Sequence, residues 1–249
     1  MIPANMPAPA LLLAAGLVLG ACTTAPEDPD NTAPQSLAAT PEPTTYVALG
    51  DSYAALGSVD ASTTGPEICQ RSADNYPALL LQDPGLEGRD VTCSGAVTAD
   101  ILAPLETAPE IAPVPAQADA LHEGVGAVTL SIGGNDIGFG GIVNCFITAI
   151  RTNQPSGCAP ALQETTAAQL AELPARLDLV HGEIAERAPR ATVLVTGYIP
   201  LVAPGDDCVE IAALSEADRR WIVELTEQLN GTVAAAAERH GAAMVLPEE

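Results

Sequence analysis

Three short stretches carry residues that acyl-transfer chemistry uses, each directly after a strand-like run. In "YVALGDSYAALG", Tyr46 to Gly57, an apolar run leads into Gly-Asp-Ser; "CSGA" brings Gly95 after a second run and "IGGND" brings Asn135 after a third. A tetrahedral intermediate needs a nucleophile on one side and hydrogen-bond donors aimed at its developing oxyanion on the other. Ser52 Oγ is expected to attack, while the backbone N–H groups of Ser52 and Gly95 and the side-chain amide of Asn135 donate. Gly95 has no Cβ to obstruct an approaching substrate. In comparable hydrolases the loss of one such donor costs on the order of 3 kcal/mol. Singly, each residue is also an ordinary turn former or helix cap. Their order along the chain, each at a strand end, is what points to one site.

The elements that must position them follow from hydrophobic patterning. "TYVALG", "RDVTCS", "AVTLSIGG", "ATVLVTGY" and "AAMVLP" are short apolar runs that suit buried parallel strands. Between them, "SADNYPALLLQ", Thr165 to Arg187 and Ser215 to His240 suit helices, the last opened by Ser215 with Asp218 three residues on, in the manner of a capping box. This alternation predicts an α/β fold, a parallel sheet with helices on both faces and right-handed crossovers. In such sheets function gathers at the carboxyl ends of the strands, where Ser52, Gly95 and Asn135 fall.

Composition narrows the partners. Acidic residues number 32 against 9 basic ones, all of them Arg, for a net charge of −23, so no basic run exists to track a phosphate backbone and nucleic acid is excluded as a partner. "PALLLAAGLVLGAC" is too short to span a bilayer and ends in small residues, which predicts an export leader over residues 1–22. Its "LGAC" ending resembles the lipobox of bacterial lipoproteins and implies lipidation of Cys22, although "MIPANMP" lacks the usual positive residues. Residues 23–44, rich in Pro, Thr, Ala and acids without apolar periodicity, read as a disordered tether holding the folded domain, residues 45–249, away from a membrane surface. After the leader, Cys69, Cys93, Cys145, Cys158 and Cys208 form an odd set with no CxxC pair, which favours disulfides over a zinc site and leaves one thiol unpaired. No metal or cofactor is expected.

The chain resembles the SGNH hydrolase superfamily, the GDSL-type lipases and esterases, and especially the disulfide-bearing secreted members of actinobacteria. "ALGDSYAALG" resembles the block with the Ser nucleophile, "DVTCSGAVTADIL" the block with the oxyanion Gly, and "VTLSIGGNDIGF" the block with the oxyanion Asn. Further similarity runs through "RSADNYPALL", "VLVTGYIPLV" and "LNGTVAAAAERHGA", from Thr45 almost to the last residue. The resemblance implies a flavodoxin-like three-layer α/β/α fold and hydrolysis of acyl esters through an acyl-enzyme on Ser52. It also implies disulfides between sequence neighbours, Cys69 with Cys93 and Cys145 with Cys158, which leaves Cys208 over.

A serine hydroxyl needs a base, and the chain has three histidines. His122, His181 and His240 all read as solvated or helix-cap positions, with His240, nearest the last strand, the least remote alternative. The family's His-bearing block follows the last strand, where this sequence reads "VLPEE". The expectation is therefore a C-terminally incomplete hydrolase, inactive as it stands. The alternative is a catalytically silent envelope module that keeps the hydrolase fold and binds acyl or sugar chains.

Overall fold

The computed structural model describes residues 42–202 and 208–246. The expected leader, Cys22 and the tether up to residue 41 lie outside the described residues. In chain order the elements are β1 (Thr44–Gly50), α1 (Ser52–Ala55), a two-residue hairpin of β2 (Thr63–Thr64) and β3 (Arg71–Ser72), α2 (Tyr76–Leu80), β4 (Leu86–Asp90) and α3 (Thr98–Leu102). Then follow β5 (Ala127–Ser131), α4 (Phe139–Thr152), α5 (Cys158–Arg187), β6 (Thr192–Thr196), α6 (Glu216–Arg239) and β7 (Ala243–Val245).

The main sheet is parallel throughout, in the order β4-β1-β5-β6-β7. Numbered along the chain, its five strands therefore run 2-1-3-4-5, the flavodoxin-like doubly wound order. The chain moves to one side of β1 to form β4, then crosses back to the other side for β5. Strand ends on either side of β1 consequently diverge into separate loops, and the crevice between them is where such sheets place their ligands.

Period-2 alternation divides the strands between two faces. Val47, Leu49, Val128, Leu130 and Val195 are buried and share one core with Leu173, Leu177, Val180 and Ile184 of α5 and Ile222, Leu225, Leu229 and Val233 of α6. Both helical rows recur at three- and four-residue spacing, as one apolar stripe requires. On the other face, Tyr46 Oη pairs with Thr129 Oγ1 at 2.7 Å, and Tyr76 of α2 donates to the same oxygen at 3.2 Å. Helices thus pack on both faces.

Two segments depart from the pattern read off the sequence. The second strand lies at Leu86–Asp90 instead of over "RDVTCS". As an edge strand with Glu87, Gly88 and Arg89 exposed, it has little apolar signal, whereas Val91, Thr92 and Cys93 enter the core from an irregular segment. The long helix begins at Cys158, seven residues before Thr165, and α4 precedes it where "GFGG" hides a helical start behind glycines. The last helix opens as expected, with Ser215 Oγ accepting from the Asp218 N–H at 3.1 Å.

Both neighbour-paired disulfides are present, Cys69–Cys93 and Cys145–Cys158, and Cys208 is free and exposed. The second joins α4 to the first residue of α5, which is also held by Asp218, whose carboxylate accepts from the N–H groups of Cys158 and Ala159 at 3.0 and 2.7 Å. In the chain-entropy model, closing a loop of this size contributes about 3 kcal/mol. The double variant C145S/C158S should therefore lose about 3 kcal/mol in urea unfolding, with an unchanged far-ultraviolet circular dichroism spectrum before the transition.

Candidate active site

Ser52 opens α1 directly after β1, Gly95 lies in the loop after β4, and Asn135 opens a 3-10 turn after β5. Because β4 and β5 flank β1, all three residues sit at the carboxyl ends of three adjacent strands. The backbone ties the ends together. Asp51 N–H donates to Ser131 O at 2.8 Å and Cys93 N–H to Gly50 O at 2.9 Å, while Asn135 Nδ2 donates to Ala96 O at 2.9 Å. The Asn135 amide has two hydrogens, so one fixes the Gly95 loop and the second is left for a ligand. Among the described residues no hydrogen bond engages the Ser52 hydroxyl.

The turn into Ser52 is backbone-limited. Gly50 has φ +151°, and a Cβ there would meet Ser131 O at 2.6 Å. Its peptide is gripped on both sides by buried Gln117, whose Oε1 accepts from the Gly50 N–H at 2.7 Å and whose Nε2 donates to Gly50 O at 2.9 Å. Gly95 has φ +84° and nothing within 4 Å of a Cβ position, so its requirement is conformational and the space before it is open. Its loop is pinned by the Cys69–Cys93 disulfide, by Ser94 N–H donating to Cys69 O at 2.9 Å, and by Arg71 Nε donating to Thr92 O at 2.8 Å. Thr98, after that loop, gives its N–H and hydroxyl to the buried carboxylate of Asp136 at 2.9 and 2.5 Å, which locks the residue next to Asn135.

Two residues that the sequence did not single out organise the site. Asp51 Oδ1 accepts from the Tyr53 N–H at 2.9 Å, and its Oδ2 accepts from Tyr198 Oη at 2.6 Å. The same phenol oxygen accepts from the Gly134 N–H at 3.1 Å. Tyr198, two residues past β6, is held in turn by Asn230 of α6, which bonds both its N–H and its carbonyl at 2.8 Å. Burial pushes the Asp51 carboxyl up to about 7, against the stabilising bonds from Tyr198 and Tyr53. Burial, with Asp51 beside it, likewise raises the Tyr198 phenol well above its ordinary range. No pattern in a single sequence pairs a phenol with a carboxylate 147 positions away.

The histidines stay away from Ser52. His122 is exposed and accepts from the Gly124 N–H at 3.1 Å. His240 caps α6 immediately before β7 and pairs with Asp178 at 3.0 Å, at the amino-terminal rim of the sheet. His181, read as solvated, is buried instead, its ring stacked on His240 at 5.0 Å. The signal was present in the sequence: His181 falls four residues after Leu177 and three before Ile184, on the apolar stripe of α5. Both rings line a cavity with Thr192 and Ala243, the first residues of β6 and β7. Ser52 lies at the opposite rim, a strand length or roughly 15 Å away at ~3.3 Å per residue, whereas a base must come within about 3 Å. Among the described residues no group of three or more His, Cys, Asp or Glu side chains is arranged to hold a metal ion.

Two measurements check this network. Tyr198→Phe strands the Asp51 carboxyl and the Gly134 N–H, each costing ~1–3 kcal/mol when buried, and should lower stability by about 2–4 kcal/mol. The pH dependence follows from two opposed shifts. Asp51 rises from 3.8 to about 7 on folding, so its stabilising contribution is full below about pH 4 and is lost as pH rises to 7. His181 is pushed down by burial from 6.5 to about 4, so its contribution is lost as pH falls through that window. Asp51→Asn removes only the first, and its melting temperature should climb more steeply from pH 4 to 6.5 than that of the parent.

Residues 48–247 match the model of the GDSL-like Lipase/Acylhydrolase family. A lipase of Streptomyces rimosus is 35% identical over 202 residues, covering 80% of this chain and 68% of that protein. Lipase 1 of Streptomyces coelicolor is 33% identical, covering 79% and 66%. Among solved structures, the extracellular lipase from Streptomyces rimosus aligns with a TM-score of 0.67 at 33% identity, over 82% of this chain and 80% of that one. Phospholipase A1 from Streptomyces albidoflavus aligns at 0.66 and 32%, over 81% and 78%. With the strand order, the disulfides and the family match in agreement, the chain belongs to the GDSL-like lipase/acylhydrolase family, whose chemistry is the hydrolysis of carboxylic esters.

Proposed function

We propose that Ser52 is the nucleophile of an exported serine hydrolase that cleaves acyl esters through an acyl-enzyme, with the Ser52 and Gly95 N–H groups and the Asn135 amide as oxyanion donors. The observation that carries this reading is the convergence of the three residues at adjacent strand ends around the open space before Gly95. An extracellular or envelope location follows the relatives, one of which is described as an extracellular lipase. Lipidation of Cys22 would anchor the protein to the membrane, and residues 23–44 would serve as its tether.

The proposal extends to the base. Asp51, the carboxyl nearest in sequence to Ser52, is committed to Tyr198 and Tyr53. With all three histidines placed elsewhere, we take none of them to be the proton acceptor for Ser52, and ester turnover that relies on the described residues to be residual. In a well-studied serine protease, loss of the His costs about a millionfold. The silent-module reading shares the fold and the histidine placement and differs in predicting a Ser52 that does not act as a nucleophile.

Labelling with a fluorophosphonate, read by peptide mapping, separates these readings. The protein should be labelled at Ser52, with S52A blank and N135A slowed about 10²–10³-fold. Absence of Ser52 labelling would overturn the hydrolase reading in favour of the silent module.

A further inference from the structure

A cleft of about 480 Å³ opens beside Asn135, between the loop ending at Val97, the short helix α3 and the middle of α5. Val97, Leu102 and Leu179 give it an apolar wall, and Arg176 brings a guanidinium into it. Resting on the assignment of Asn135 as an oxyanion donor, we propose that this cleft is a substrate subsite for esters that carry an anionic group, and that Arg176 reads that group.

The existing partners of Arg176 leave it available. Its Nη1 lies 3.6 Å from the carboxylate of Asp136, too far for a hydrogen bond. That carboxylate is already satisfied by the N–H and hydroxyl of Thr98. Its Nη2 pairs with Glu172 at 2.6 Å, one turn back on the same helix, and Glu172 is 67% exposed. Such a surface pair contributes at most about 1 kcal/mol and exchanges readily. A guanidinium has five donors in a planar fork, so it can accept a phosphate or carboxylate without first breaking the Thr98–Asp136 lock.

Charge makes the assignment specific. The chain carries −23 overall, so its long-range field repels anions and any preference for them must come from close contact. Of the nine Arg residues, Arg176 is the one that lines the cleft shared with Asn135. Apolar wall, guanidinium and oxyanion donor lie within one cavity, which matches an ester that joins an acyl chain to a charged head. Phosphate and carboxylate share this chemistry, and the test separates them.

The measurement is calorimetric binding to the S52A chain, which cannot form an acyl-enzyme, at 50 mM and 500 mM NaCl. The probes are 1-O-hexylglycerol 3-phosphate, hexyloxyacetate and uncharged 1-O-hexylglycerol, with inorganic phosphate alone as a further arm. At low salt the hexyl phosphate should bind at least tenfold tighter than the uncharged ether, and the preference should shrink at high salt. A comparable gain for hexyloxyacetate would assign the subsite to carboxylate-bearing esters as well, whereas a gain for the phosphate alone would confine it to phosphate heads. Binding by inorganic phosphate should be weaker than by the hexyl phosphate. Adding R176Q should bring the anionic probes to within twofold of the uncharged one, with R176K intermediate.

Because R176Q also removes a cation near buried Asp136, E172Q serves as an independent variant. By freeing the guanidinium from its surface partner it should tighten the anionic probes about two- to threefold and leave the uncharged ether unchanged. An anionic preference that survives R176Q, or no preference in the parent and no response to E172Q, would overturn the subsite. Since binding is read without Ser52, failure here with intact Ser52 labelling overturns only the subsite. Arg176-dependent binding without Ser52 labelling overturns only the hydrolase reading.

Discussion

The phenol oxygen of Tyr198 donates to Asp51 and accepts from Gly134, and through these two bonds the ends of three neighbouring strands hold one arrangement. Asp51 precedes the nucleophile candidate, Gly134 precedes Asn135, and Tyr198 follows β6. Among the described residues no cation offsets the desolvation of this buried carboxyl, so it depends on the phenol and on the Tyr53 N–H. Tyr53 then packs edge-on to Tyr198, with ring centroids 4.6 Å apart, and its hydroxyl donates to Ile199 O at 2.8 Å, closing the cluster. Removing the Asp51 carboxyl or the Tyr198 hydroxyl leaves a buried polar atom without its partner, so these two side chains hold the site together.

The loop after β4 is governed by a second constraint of a different kind. Gly95 needs a positive φ, and its segment lies on the edge side of the sheet, where ladder hydrogen bonds end. Its order comes from the Cys69–Cys93 bridge and from Arg71, which bonds Thr92 O and sits 3.6 Å from Asp90. Asp90 in turn accepts from Asn75 at 2.7 Å and from the Thr92 hydroxyl at 2.6 Å. A covalent staple and a buried polar network thus do at the edge what strand pairing does at the centre.

How far the sequence carried follows from where burial is regular. The strands β1, β5, β6 and β7 were legible because each is a compact apolar run. Ser52 and Asn135 were legible because each follows such a run, and Gly95 because it follows the apolar residues of the stapled segment. The edge strand β4 was misplaced since one exposed face erased its signal, while the apolar residues after it belong to the stapled loop. His181 is buried where a solvated position is expected, because it lies on the apolar stripe of α5. Asp51, Tyr198 and Gln117 were not legible, because their roles arise from contacts between residues far apart in the chain, and one sequence carries no trace of such pairs.

Whether Ser52, Gly95 and Asn135 form one acyl-transfer site is decided by a crystal structure of the protein after reaction with a phosphonate that mimics the tetrahedral intermediate. The phosphorus should be bonded to Ser52 Oγ, with one phosphonyl oxygen about 2.7–3.1 Å from the Ser52 N, the Gly95 N and the Asn135 Nδ2. An adduct on another residue, or a phosphonyl oxygen turned away from Gly95 and Asn135, would contradict it.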